Sequence, residues 1–82
     1  MQNVRLEDVC LSQASFDAFN EFSRRSALRL IREGVIDSRL IPDEQVTIMD
    51  DGQLKIWIVV SGVGEIAYFI PPRHWAWADG RN

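Results

Sequence analysis

The sequence predicts an α+β fold, one amphipathic helix packed on a three-stranded antiparallel β-meander. Three observations carry this. Apolar residues recur at helical spacing between Ser12 and Gly34. They alternate at period two between Val46 and Ile70. Two turn signals, Asp50-Asp51-Gly52 and Ser61-Gly62-Val63-Gly64, divide the alternating stretch into three strands. A meander behind one helix is the simplest layout that buries both elements.

The helix opens at Ser12 or Ser15, either of which suits an N-cap, and stops where Gly34 allows a left-handed turn. Phe16, Phe19, Ala27, Leu30 and Ile31 share one face about 120° wide, the width of a core-facing stripe. Phe22 and Leu28 fall on its opposite flanks. The far face holds Glu21, Arg25, Arg29 and Arg32. Glu21 precedes Arg25 by one helical turn, and Glu33 relieves Arg29.

Before the helix, Val4, Leu6 and Val9 suit either a short strand or an extended lead-in. After it, residues 35–44 form a connection with room for one turn around Asp37–Leu40. There Val35, Ile36, Leu40 and Ile41 close the bottom of the core, and Pro42 disfavours helix at Ile41. The strands follow near Val46–Met49, Gln53–Val60 and Glu65–Ile70. Pro71-Pro72 ends the last of them, because proline cannot donate to a sheet ladder. Residues 1–82 read as a single domain in which 71–82 are a C-terminal tail carrying His74, Trp75 and Trp77.

With 82 residues, a domain buries only about 60% of its unfolded surface, leaving little room for a deep pocket beside a core. The expectation is a protein that is not an enzyme and works by presenting a surface. The net charge of −3 argues against bulk attraction to nucleic acid or anionic lipid. Eight of the nine basic residues are Arg, which suits interfaces better than Lys. Cys10 is the only cysteine, so no internal disulfide forms and a reducing cytoplasmic setting fits. No signal-peptide core and no bilayer-length apolar run is present, and no membrane association is expected.

No constellation specifies chemistry. Cys10 and His74 would have to meet to make a nucleophile and base, and nothing in the sequence brings them together. One His, one Cys and scattered carboxylates supply no metal site, and Ser61-Gly62-Val63-Gly64 precedes a strand, not the helix of a phosphate loop. No cofactor is expected. The helix arginines Arg24, Arg25, Arg29 and Arg32 offer an alternative nucleic-acid contact surface. Conversely, Asp43, Glu44, Asp50 and Asp51, with no basic residue between Pro42 and Gln53, suggest an acidic nucleic-acid mimic.

The sheet carries the main expectation. Its last two strands are apolar on both faces: Leu54, Ile56, Ile58, Ile66, Tyr68 and Ile70 against Trp57, Val59, Ala67 and Phe69. One helix covers one face, so something must cover the other. Either the chain's own ends fold over Trp57 and Phe69, or another protein docks there, a second copy included. Trp57, Phe69, Trp75 and Trp77 are then the candidate partner-binding residues. The expected function is a small cytoplasmic protein that acts stoichiometrically on a partner protein, as inhibitor, adaptor or immunity-type factor, of bacterial or phage type by size and class alone.

Overall fold

A computed structural model describes residues 1–34, 43–60 and 64–81, with Ala27 described in its backbone only. The elements run β1 (Gln2–Val4), a 3₁₀ turn (Leu6–Asp8), β2 (Val9–Leu11), α1 (Gln13–Arg24), α2 (Ala27–Arg32), β3 (Gln45–Ile48), β4 (Leu54–Val60), β5 (Gly64–Ile70), a second 3₁₀ turn (Pro72–His74) and β6 (Trp75–Trp77). The class is α+β, but each of its parts differs from the simplest layout.

The expected meander, β3-β4-β5, is the contiguous part of a larger sheet. β1 pairs antiparallel with the outer side of β3, giving four strands in the order β1-β3-β4-β5. Val4 lies opposite Val46. The Thr47 hydroxyl donates to Asn3 Oδ1 at 3.0 Å, and the Met1 ammonium reaches Asp50 at 2.7 Å. The tail is also not a loose end. β6 pairs antiparallel with β2, setting Val9 opposite Trp77 and Leu11 opposite Trp75 in a separate two-stranded sheet. The ambiguous N-terminal stretch therefore holds two strands, with the 3₁₀ turn around Asp8 between them.

The single helix is two. Ser12 caps α1, its Oγ accepting the Ser15 N–H at 3.2 Å. The helix then breaks at Arg25-Ser26, where Ser26 adopts an extended backbone with φ −122° and ψ 174°. Its hydroxyl donates to the Ser23 carbonyl at 3.3 Å, the local competition that makes serine a poor helix-interior residue. α2 ends at Glu33 and Gly34, with Gly34 at φ 77° as the stop requires. The break resets the helical phase. Phe19 and Leu28 are buried and Phe22 and Ile31 pack against the core, whereas Phe16 and Leu30 are exposed.

The core lies between this helical layer and one face of the four-stranded sheet. Three cross-strand rows floor it: Ile48–Leu54–Ile70, Val4–Val46–Ile56–Tyr68, and Ile58–Ile66. Leu54, Ile56, Ile58 and Ile70 are fully buried. The Tyr68 ring meets Phe19 and Phe22 with centroids 5.8 and 5.1 Å away. The parts assigned to Val35, Ile36, Asp37–Leu40, Ile41 and Pro42, and the reversal at Ser61-Gly62-Val63, lie outside the described residues.

The β3–β4 hairpin is built on Asp50-Asp51-Gly52. The Gly52 N–H donates to the Met49 carbonyl at 2.9 Å, and the Met49 N–H to the Gln53 carbonyl at 2.8 Å. The result is a three-residue connection closed by Gly52 at φ 89°. The backbone N–H and then the side-chain amide of Gln53 hold the Asp51 carboxyl below its ordinary pKa. The turn gains from that carboxylate above the ordinary range and loses it as pH falls through the lowered value. A Cβ on Gly52 would stand 3.1 Å from Pro72 Cγ. The Gly52 carbonyl accepts the Trp75 indole N–H at 2.9 Å, so the C-terminal segment seats on this turn.

Candidate docking surface

The side chains of β4 that turn away from the core are Lys55, Trp57 and Val59. Strand pairing places Asn3, Thr47, Lys55 and Phe69 in one row across this outer face, Gln45, Trp57 and Ala67 in the next, and Val59 and Glu65 beyond. Phe69 is 47% exposed and Val59 48% exposed. Neither the β2–β6 sheet nor the helices lie over these residues; both pack on the core side. Among the described residues the outer face is therefore open.

Its polar groups are arranged around Trp57. Thr47, buried between strands, accepts the Trp57 indole N–H at 3.1 Å while donating to Asn3. The Lys55 ammonium stands 4.6 Å from the centroid of the Trp57 ring and 6.0 Å from that of Phe69. Glu65 holds it there at 2.7 Å, leaving the Lys55 side chain only 16% exposed. The result is a cation drawn down onto two aromatic rings, an attraction that strengthens as water is excluded. Beside it Met1, Asn3, Thr47, Met49, Lys55 and Trp57 line a groove of about 390 Å³. Lys55→Ala is expected to destabilise the domain by about 1 kcal/mol, through the lost cation–π contact and aliphatic cover. Chemical denaturation checks the cost, and a red-shifted Trp57 emission should accompany it.

The four candidate binding residues do not converge. Trp57 and Phe69 stand on the open face. Trp75 and Trp77 pack against the core, edge to face with each other at 5.6 Å, and Arg81 covers the Trp77 ring at 4.4 Å. The tail thus folds back on the domain, but not over the second face of the sheet. Lys55 and Thr47, which organise the open face, were not among the candidates. Their signal was the period-two pattern itself, which puts Lys55 on the same side as Trp57.

Arg25, Arg29 and Arg32 each hold a carboxylate: Glu21 at 2.8 Å, Glu33 at 2.5 Å, and Glu44. The acidic segment is similarly engaged, with Asp50 on the Met1 ammonium, Asp51 on Gln53 and Glu44 on Arg32. Cys10 and His74 do come to one shallow groove of about 290 Å³, with Leu11, Ser12, Arg73, Trp75 and Ala76. His74 Nδ1 lies 3.0 Å from Ser12 Oγ, the capping hydroxyl of α1. Its backbone carbonyl also accepts the Ser12 N–H at 2.7 Å. His74 therefore ties the second 3₁₀ turn to the start of α1. The Cys10 thiol is exposed, and among the described residues it makes no hydrogen bond to the ring. Among the described residues no three His, Cys, Asp or Glu side chains gather to hold a metal ion, and no helix is long and apolar enough to cross a membrane. No protein-family model, curated protein or solved structure matches this chain.

Proposed function

We propose that this chain is a small non-enzymatic protein-binding module. It acts stoichiometrically, docking on a partner protein through the outer face of its four-stranded sheet. One observation supports this reading above the others: Trp57, Val59 and Phe69 form an aromatic and aliphatic patch that neither the helices nor the β2–β6 sheet covers, with Phe69 and Val59 about half exposed. Exposed apolar patches rimmed by polar groups mark interaction sites, and aromatics anchored in them supply most of the binding energy. Here Thr47 and Glu65 hold Trp57 and Lys55 in place, so little side-chain freedom is lost on docking. Reading Arg25, Arg29 and Arg32 as a nucleic-acid surface draws less support, since each would exchange a carboxylate already in place for a phosphate.

The test is affinity capture from the native host with mass spectrometry, followed by binding of the identified protein to purified variants. Trp57→Ser and Phe69→Ser are each expected to weaken a one-to-one complex at least tenfold with the fold retained, as judged by circular dichroism. Arg25→Ala, Arg29→Ala and Arg32→Ala are expected to leave it unchanged. A partner indifferent to Trp57 and Phe69 would remove the outer face as the docking site. Binding that falls steeply with salt and with loss of the arginines would point to a polyanion instead.

A further inference from the structure

The four-stranded sheet has two margins, β1 and β5, and they are finished differently. A sheet margin presents unpaired backbone groups that template pairing with another strand. Proteins blunt such margins with shortness, charge, proline or a bulge. β1 is three residues long and is closed by the first 3₁₀ turn. It is flanked by charges, the Met1 ammonium on Asp50 and Arg5 on Glu7 and Asp8. β5 is less guarded, with one charge within it and Pro71-Pro72 only beyond its end. It runs seven residues in unbroken register with β4, from Gly64 opposite Val60 to Ile70 opposite Leu54. It contains no proline and no lysine, and its one charge, Glu65, is held by Lys55. Among the described residues no backbone hydrogen bond leaves its outer side.

We propose that this edge pairs antiparallel with the same edge of a second copy, joining two four-stranded sheets into one of eight. The residues of β5 select the register. With the two-fold axis at Tyr68, that residue lies opposite its own counterpart, Ile66 opposite Ile70, and Ala67 opposite Phe69 of the second copy. Apolar groups then meet throughout, and the small Ala67 leaves room for the half-exposed ring of Phe69. Glu65 falls beyond the last apolar pair, beside Pro71, and keeps Lys55. An axis at Ala67 would press the Glu65 carboxylate against the Phe69 ring. An axis at Phe69 would bring Pro71 in opposite Ala67, so that only residues 68–70 pair before a residue without an N–H, where the axis at Tyr68 pairs residues 66–70. A segment that satisfies both halves of an antiparallel pair has its own copy as the matching partner.

Phe69 belongs both to this pairing and to the docking patch, yet the two readings fail separately, since self-association needs no partner protein. Sedimentation equilibrium over a wide concentration range is expected to show a mass rising to twice the 9.4 kDa of one chain. The β5 amides not bonded to β4 should become protected from exchange as concentration rises. In a Cys10→Ser background, an equimolar mixture of Ala67→Cys and Phe69→Cys chains is expected, on oxidation, to give the mixed disulfide in excess over either like pair. Trp57→Ser should leave the dimer intact while abolishing partner capture. A single-chain mass at every concentration would overturn the proposal. So would a dimer in which the β5 amides exchange at the monomer rate, or in which a like pair cross-links best.

Discussion

Leu28→Ala is expected to destabilise the domain by about 3 kcal/mol, whereas Leu30→Ala, two residues on, is expected to cost under about 1 kcal/mol. Leu28 is 2% exposed and packs within the core cluster, while Leu30 is 40% exposed. Removing a buried leucine forfeits the transfer energy of its methyl groups and leaves a cavity that the surroundings only partly fill. For a domain of 82 residues the larger figure is a substantial share of a total of about 5–10 kcal/mol. Urea denaturation of the two variants decides the matter. Were the costs reversed, the helix would run unbroken through Ser26 and the phase described above would be wrong.

Ending the chain after His74 is expected to abolish cooperative unfolding altogether. The deletion takes away β6, so β2 loses its only strand partner among the described residues. It also removes both core-packed tryptophans and the indole hydrogen bond to Gly52. Each large aromatic truncation costs about 3 kcal/mol where well buried and less where half-buried; two of them with a strand pairing approach the whole stability of so small a domain. Trp75→Phe keeps most of the packing and is expected to lose only about 1 kcal/mol, the value of the hydrogen bond. Near-ultraviolet circular dichroism through a thermal ramp separates these outcomes. An undiminished transition in the shortened chain would make residues 75–82 an appendage after all.

What could be read in the sequence followed local physics. Alternation from Val46 to Ile70, the Asp-Gly turn, the Ser12 cap and the Gly34 stop depend on neighbours within a few residues, and all four are found where the residues put them. The helix break was local too, but a single serine is a weak signal against the apolar spacing on either side of it. Its effect was to put Leu28 at the core in place of Leu30, while within α1 the core-facing stripe runs through Phe19 and Phe22 and leaves Phe16 exposed. The N- and C-terminal strands could not be read in the same way. Three-residue strands are too short for a period to declare itself, and their partners lie far away in sequence, Val9 against Trp77 and Gln2 against Ile48. The open face was legible in composition, as a sheet apolar on both sides, but the grip of Lys55 on Trp57 and Phe69 depends on cross-strand neighbours that composition does not reveal.

The pairing of β2 with β6 also governs when the molecule can finish folding. Val9 and Trp77 are joined across nearly the full span of the chain, and Trp75 closes onto the hairpin turn at Gly52. Such distant contacts carry the greatest loop-closure penalty and are formed late. Until β6 docks, the apolar surface destined for the two tryptophans stays uncovered, which makes the partly folded chain most vulnerable to aggregation and proteolysis at this last step.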